Sequence, residues 1–510
     1  WAWLDALPED EVKHSAPLGI AYCWVLWLRG QTGAIKPHLA DVENALNSLI
    51  AAESVGPDDV VYAELLVQFA LLQSMVARYD NDFEAAVAFA ERALSLLPQE
   101  LPPQTGVQLR ALISFALASA YDGAGDLERA IGAYTEHIRL SRVAANVTGL
   151  GIIIRLVGAL RLLGRLQEAD AACHDALAYV QAQGMSRLPA AGILYVTMSE
   201  VLVEHNDLEA AEAHLAQGLE IGKWSGRLDA AKNAAYALSR MRQARGDASG
   251  ALAAIREAES ALGEPQPPLA RAELLALKAR IWAWQGALSE AARCVEEAEH
   301  LVGRDRGQTA EWVALAAARV LSAQHKPGEA IARLTRSIAA AEERGRLGVA
   351  LELRILRSLA LARRGDAREA AADLERALAI AEPEGYARVF LDEGEPAQML
   401  LAQWLARAGE NPLRDYAGRL LSQFDAEPYE IAATPEKTSP AEQALIEPLS
   451  DRELEILHLI ALGKTNKAIA QQLFIAPGTV KAHTASIYRK LDVANRTEAV
   501  ARARQLGILS

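Results

Sequence analysis

Between residues 81 and 380 one pattern returns about every 40 residues, and few folds can accommodate it. A short break carrying Gly, Asn or Asp is followed by an Ala-rich amphipathic stretch. The breaks begin at Asn81, Gly125, Gly164, Asn206, Gly246, Gly286, Lys326 and Gly365, at spacings of 44, 39, 42, 40, 40, 40 and 39 residues. Five positions after each break stands Ala86, Ala130, Ala169, Ala211, Ala251, Ala291, Ile331 or Ala370, and seven further on comes Ala93, His137, Ala176, Gly218, Ala258, Ala298, Ile338 or Ala377. Residues seven apart share a helical face, and small ones there let helices approach closely. Forty residues hold two helices of about 17 residues and their turns, each helix about 25 Å long. The spacing predicts an all-α array of helical hairpins, longer relatives of the 34-residue tetratricopeptide unit, wound into a superhelix with a concave side. Segment 18–50 adds one more hairpin, turning near Gly30–Gly33.

A chain of 510 residues is too long for one compact core. Its three cysteines, Cys23, Cys173 and Cys294, are too few and too far apart for a disulfide framework or a four-ligand zinc site. The apolar run Leu18 to Leu28 is too short to span a bilayer and has no signal-peptide pattern. The expectation is a soluble cytoplasmic protein with no metal site. No Ser/His/Asp, Cys/His or paired-carboxylate arrangement rises above chance, so no catalytic residue is assigned and no enzyme is expected. The formal charge is −14, unevenly spread: residues 449–510 carry +4 and the remainder −18. An acidic body with a small basic end fits a protein that touches nucleic acid with one domain only.

The concave side of a superhelix is a natural place for a ligand. Of the nine tryptophans, Trp282 and Trp284 straddle the end of one helix, and Trp312 stands alone. These three are the candidate effector contacts, as stacking surfaces for a ring or a partner side chain. Ordinary inter-helix packing is the competing reading for each of them.

From Asp425 to Pro448 the repeat stops, and Pro428, Pro435, Pro440 and Pro448 interrupt an acidic, apolar-poor stretch. The expected domains are a lead-in at 1–17, the repeat array at 18–424, a flexible linker at 425–448 and a compact domain at 449–510. In that last segment Ser450 and Glu453 form a capping box for a helix with Leu454, Leu457, Ile460 and Ala461 on one face. A second helix starts at Asn466. After Phe474-Ile475-Ala476, Pro477 opens a third, whose apolar face is Val480, Thr484, Ile487 and Leu491; a fourth includes Ala499, Val500 and Ala503.

Helix, three-residue turn, helix is the helix-turn-helix layout that presents its second helix to the major groove. The face of the third helix away from its core carries Lys481, Ala482, Ala485 and Arg489, the candidate base-facing residues. Lysine donates to guanine edges, and small side chains let the helix come close to thymine methyls. Lys464, Asn466, Lys467, Thr479, Lys490 and Arg496 are candidates for phosphate contact or positioning, through charge or through the free amides of helix N-termini. Lys490 and Arg496 also read as plain solvated charges.

Leu449, Arg452-Glu453, Glu455, Leu457, Gly463, Asn466-Lys467, Ile469-Ala470, Leu473, Thr479-Val480-Lys481, His483, Ile487, Lys490-Leu491 and Asn495-Arg496-Thr497 together resemble the LuxR-type DNA-binding domain. The resemblance implies base contacts from Lys481, Ala482 and Ala485. One departure is Ala476, where that family usually has a serine cap; its loss costs about 0.5–2 kcal/mol. Gly385-Tyr-Ala-Arg-Val-Phe-Leu-Asp-Glu-Gly394 and Trp3-Leu-Asp-Ala-Leu-Pro8 are similar to segments of large MalT-like LuxR regulators. That resemblance implies a DNA-binding transcription regulator whose repeat domain receives an effector, often a small molecule. It further implies self-association on double-stranded DNA, with RNA polymerase as a further partner. Such regulators carry an N-terminal ATPase module, and no complete Walker A loop stands in this chain: Gly463-Lys464-Thr465 imitates its end, but His458 occupies the first glycine position. No cofactor is expected in these residues, with ATP reserved for a longer parent protein. The alternative is a repeat scaffold for protein partners with an accessory DNA-binding domain.

Overall fold

The computed structural model describes residues 9–29, 31–51, 59–144, 147–222, 228–263, 266–303 and 308–426. Toward the C-terminal end it describes 456, 457, 459–461, 464, 465, 484, 487, 493, 499, 502 and 503. The chain divides into two compact units, Trp1–Pro428 and Tyr429–Ser510. Among the described residues there are helices and turns and no strand.

The first unit is the expected hairpin array. Glu9–His14, Ala16–Leu28 and Lys36–Ala51 lead in, with a 3-10 turn at Thr32–Ala34. Eight hairpins follow. Their first helices are Val60–Tyr79, Pro103–Ala124, Ile153–Leu163, Pro189–Glu204, Leu228–Ala244, Pro268–Trp284, Gln308–Ala323 and Leu347–Arg364. Their second helices are Phe83–Ser95, Leu127–Val143, Leu166–Ala182, Leu208–Gly222, Ala248–Ala261, Leu288–Val302, Pro327–Glu343 and Ala367–Ala381. Val60–Tyr79 is the one described helix long and apolar enough to cross a membrane, and half of its apolar stretch is buried in the array.

Each hairpin turns by the same local chemistry. The first or second residue after the first helix is left-handed: Asn81, Gly125, Gly164, Asn206, Gly246, Gly286, His325 and Gly365 all have φ between 58° and 96°. The next amide then bonds back to a carbonyl five residues earlier, from Asp82 to Ala77 and from Asp126 to Tyr121 at 2.9 Å, and likewise in every turn. Asp82, Asp126, Asp207 and Asp247 immediately cap the second helix through their carboxylates at 2.8–3.2 Å. Stop and start signals thus occupy adjacent positions, which is why the breaks are visible in sequence. One break is displaced: the left-handed residue is His325 rather than Lys326. The register of the following helix shifts with it, and Ala330 is fully buried while Ile331 is half-buried.

Ala86, Ala130, Ala169, Ala211, Ala251, Ala291 and Ala370 are sealed, as are Ala93, Ala298 and Ala377. At Gly218 a methyl group would lie 2.8 Å from the Gly192 carbonyl and 2.9 Å from Val196, so hydrogen alone fits where those two helices meet. His137, in the corresponding place, is buried with Nδ1 2.7 Å from the Ala111 carbonyl.

The array closes on itself. Hairpin eight returns to hairpin three: a Cβ at Gly348 would fall 1.9 Å from the Arg161 carbonyl and 3.0 Å from the Gly164 amide. One apolar cluster joins Leu156, Leu160 and Leu194 to Leu351, Ile355, Phe390, Trp404 and Phe424. Residues 386–394, containing the short helix Arg388–Leu391, run through the interior, and Glu395–Arg407 and Arg414–Ala426 complete the unit. The concave side is therefore filled by the chain's own segment instead of standing open. Two expected boundaries fall inside helices: Ala16–Leu28 runs through 17/18 and Arg414–Ala426 through 424/425. Most of the expected linker, residues 427–448, lies outside the described residues.

In the second unit the described residues are mainly core. Ile456, Leu457, Leu459 and Ile460 are buried, as are Thr484, Ile487, Ala499 and Ala503. They include Leu457, Ile460, Thr484, Ile487, Ala499 and Ala503 of the apolar faces anticipated from sequence.

Candidate functional site: the lined interior of the array and the C-terminal domain

Six residues before the left-handed turn residue, four successive first helices carry a charge pointing inward: Glu200, Arg240, Arg280 and Arg319. Arg161 and Glu204 join them from neighbouring turns of hairpins three and four. Isolated charges so buried would be prohibitively unstable, and each has partners. Arg161 donates to Glu200 at 2.6 Å and to Glu204 at 3.0 Å. Asn233 Nδ2 donates to Glu200 at 2.6 Å. Arg240 pairs with Glu204 and donates through Nε to Asp392 at 2.9 Å. Arg280 pairs with the same Asp392 carboxylate, and Arg388 Nε donates to its other oxygen at 2.5 Å. Arg319 bridges Glu393 at 2.9 Å and Glu352 at 3.1 Å. The interior segment is also held by its backbone: the Ala387 amide donates to the Glu204 carbonyl at 2.8 Å, and Tyr416 donates to the Tyr386 carbonyl.

The electrostatics follow from who faces whom. Burial alone would raise Asp392, but Arg388, Arg240 and Arg280 hold it far below the usual carboxylate range. Glu204 is likewise depressed, because Arg240 and Arg161 outweigh its burial. Glu200 has one guanidinium and an amide for partners, so burial wins and its pKa is raised. Arg280 is lowered first by burial and then by Arg319, and Arg240 acts in the same direction.

Cavities open between this network and the apolar walls. One of about 160 Å³ is bordered by Arg280, Trp284, Arg319, Arg363, Asp392 and Glu393. A second, about 130 Å³, includes Arg161, Glu200, Lys232, Asn233, Glu273 and Trp312. A third, about 50 Å³, includes Glu204, Tyr236, Trp312, Glu352 and Tyr386. Two polar atoms of residues that line this third cavity, Glu204 Oε2 and the Tyr386 hydroxyl, are buried and have no hydrogen-bond partner in the protein. Tyr236 and Trp312 stack across the interior with ring centroids 5.7 Å apart. Of the tryptophans singled out in sequence, Trp312 and Trp284 line cavities. Trp282 is half-buried between two inter-helix apolar clusters. The interior arginines and carboxylates were missed; a charge recurring at 40-residue spacing on otherwise apolar helices was the available signal.

In the C-terminal domain Lys464 is exposed, as is Thr465. The Lys464 amide donates to the Leu459 carbonyl at 3.1 Å, ending the first helix, so it is not one of the free amides a phosphate-binding loop needs. Asn466, Lys467, Thr479, Lys481, Ala482, Ala485, Arg489, Lys490 and Arg496 lie outside the described residues.

Comparison with known proteins agrees with this architecture. Residues 68–407 match the MalT-like TPR region, and residues 447–503 match the bacterial regulatory proteins of the luxR family. The HTH-type transcriptional regulator MalT of Serratia proteamaculans (strain 568) is 26% identical over 524 residues, covering 99% of this chain. The chain spans 55% of that relative's length. A Rap protein crystallised with Competence and Sporulation Factor shares the fold at a TM-score of 0.52 and 14% identity, over 74% of this chain and 99% of that one. The chain therefore belongs to the family of proteins with a MalT-like tetratricopeptide-repeat region and carries a luxR-family domain at its C-terminal end.

Proposed function

We propose that this chain is a transcription regulator in which a small effector, bound inside the helical array, controls the affinity of the C-terminal domain for double-stranded DNA. The supporting observation is the third cavity: Glu204 Oε2 and the Tyr386 hydroxyl are sealed from solvent and lack partners. Unpaired buried polar groups are costly, and a ligand that pairs with them relieves that cost. The wall of that cavity includes both the array and the interior segment, so occupancy bears on how residues 386–426 are held. A ligand shifts such an equilibrium only by its differential affinity for the two states. On this reading Lys481, Ala482, Ala485 and Arg489 face bases, while Lys464, Asn466, Lys467, Thr479, Lys490 and Arg496 hold phosphates. The regulator self-associates on DNA and contacts RNA polymerase there, in the cytoplasm, without chemistry of its own.

The test uses the full chain. A small-molecule library is screened by thermal shift, since a ligand specific for the folded state raises its melting temperature; compounds that do so are then titrated into a mobility-shift assay. A compound that stabilises the chain and changes its DNA affinity at least fivefold bears the proposal out. Saturable ligands that leave DNA affinity unchanged would overturn it.

A further inference from the structure

The cavity beside Arg280, Arg319 and Arg363 has the character of an anion site already holding an internal substitute. Its wall brings together the guanidinium groups of Arg280, Arg319 and Arg363, and the groups answering them are Asp392 and Glu393 of the interior segment. Asp392 is committed, with Arg240, Arg280 and Arg388 around it and no exposure. Glu393 differs. It is held by Arg319 through a single carboxylate oxygen, at 3.1 and 2.9 Å, and keeps some solvent access. Arg363 stands exposed at the edge of the cavity, donating to the Ser322 carbonyl at 2.8 Å. Burial, then Arg319 and Arg240, lower the basicity of Arg280 against the pull of Asp392 and Glu393, whereas Glu393 and Glu352 raise that of Arg319; on the cavity wall itself three guanidinium side chains face two carboxylates.

We infer that this cavity binds a small anion, carboxylate or phosphate, which takes Arg319 and Arg363 and displaces the Glu393 carboxylate that now occupies the place. The volume of about 160 Å³ is room enough for inorganic phosphate or a short dicarboxylate. Displacing Glu393 has a built-in consequence. The next residue, Gly394, is the N-cap of Glu395–Arg407, at φ 63° and ψ −148°, a conformation that essentially only glycine holds. A change at Glu393 is therefore applied directly to the start of the helix that leads toward the end of the array. This inference rests on the effector-control reading for its biological sense, but the site itself does not depend on it.

The experiment is isothermal titration of the full chain with inorganic phosphate, with succinate and with erythritol, all in potassium chloride at matched ionic strength. Saturable binding of phosphate or succinate is expected, tightened at least tenfold in Glu393→Gln, which removes the competing charge. It should weaken at least tenfold in Arg363→Gln, an exposed position whose melting temperature should not move. The phosphate and succinate arms tell the two anion chemistries apart. No saturable heat with either anion, equal affinity in both variants, or erythritol binding with the same variant response would each overturn the inference. A mobility-shift assay with the bound anion separates the two readings. Unchanged DNA affinity leaves the anion site standing and sinks effector control by it, whereas a neutral ligand that alters DNA affinity does the reverse.

Discussion

Asp392 Oδ2 lies 2.9 Å from the guanidinium of Arg240, a residue 152 positions earlier, and the two side chains are 0% and 1% exposed. Through this pair the last part of the array is tied to its middle. Arg280 and Arg388 converge on the same carboxylate, so one acid is shared by three bases, from hairpins five and six and from its own short helix. Attraction in so dry a place offsets the desolvation of its members only while the set is complete.

Asp392→Asn should therefore be strongly destabilising. It keeps the shape of the side chain and removes the one negative charge that Arg240, Arg280 and Arg388 share. Breaking a buried ion pair on one side costs about 3–5 kcal/mol. The urea midpoint of the array transition, followed by far-UV circular dichroism, should fall accordingly. A midpoint within experimental error of the wild type would mean that the network contributes nothing to stability.

The same acid sets a pH dependence whose sign is fixed. Asp392 and Glu204 have folded pKa values below their unfolded ones, near 3.9 and 4.3. The unfolded chain thus takes up protons first as pH falls. The stability they contribute is fully present above about pH 5 and is lost progressively below it. Glu200, raised by burial, works in the opposite sense: its contribution is present at low pH and lost as pH rises through its folded pKa. Urea midpoints measured from pH 6 down to pH 2 should fall steeply in the wild type and less steeply in Asp392→Asn. At pH 7 Glu200→Gln should cost less than Asp392→Asn. Parallel pH curves for wild type and Asp392→Asn would contradict this assignment.

Closure of the array rests on a glycine. At Gly348 a methyl group would enter the Arg161 carbonyl, and that neighbour is backbone that cannot rotate aside. Gly348→Ala should force hairpins three and eight apart and cost about 1–3 kcal/mol. Gly328, beside whose Cβ position lies open space, is the control, and Gly328→Ala should stay near neutral. Thermal melts of both variants decide the matter; equal melting temperatures would show that the closure is dispensable.

What was legible in the sequence was whatever local chemistry encodes. Asn81-Asp82, Gly125-Asp126, Asn206-Asp207 and Gly246-Asp247 put a left-handed stop beside a helix cap, so the hairpin turns are visible in the sequence itself. Lys326 misled by one position because His325 adopts a left-handed φ of 58° that its residue type does not advertise. The filled interior was not legible. Its contacts pair Arg388 with Asn206 and Arg240 with Asp392 across 182 and 152 residues, and no periodicity reports on pairings of that range. Residues 385–394 stand out in the sequence only by their resemblance to a segment of MalT-like LuxR regulators, and their position inside the array supplies the physical reason for their composition. Tyr386, Val389, Phe390 and Leu391 fill apolar space, while Arg388, Asp392 and Glu393 meet the buried charges.

The two classes of DNA contact assigned to the C-terminal domain should separate in their salt dependence. Lys481 is assigned to base edges, so Lys481→Ala should lose about 1–3 kcal/mol of discrimination between a specific site and random duplex. Lys464 is exposed just after a helix whose Leu457 and Ile460 are buried, and is assigned to phosphate. Lys464→Ala should weaken specific and random duplex alike and lower the slope of log affinity against log salt by about 1. Mobility-shift titrations across a range of potassium chloride concentrations, on both duplexes and both variants, give all four quantities. Burial of Thr484 and Ile487 fixes the inward side of the third helix, and the assignment requires Lys481 to act from another side. If Lys481→Ala changes only the salt slope while Lys464→Ala changes discrimination, the roles are reversed. If neither changes anything, the groove-facing row is wrongly placed on the helix.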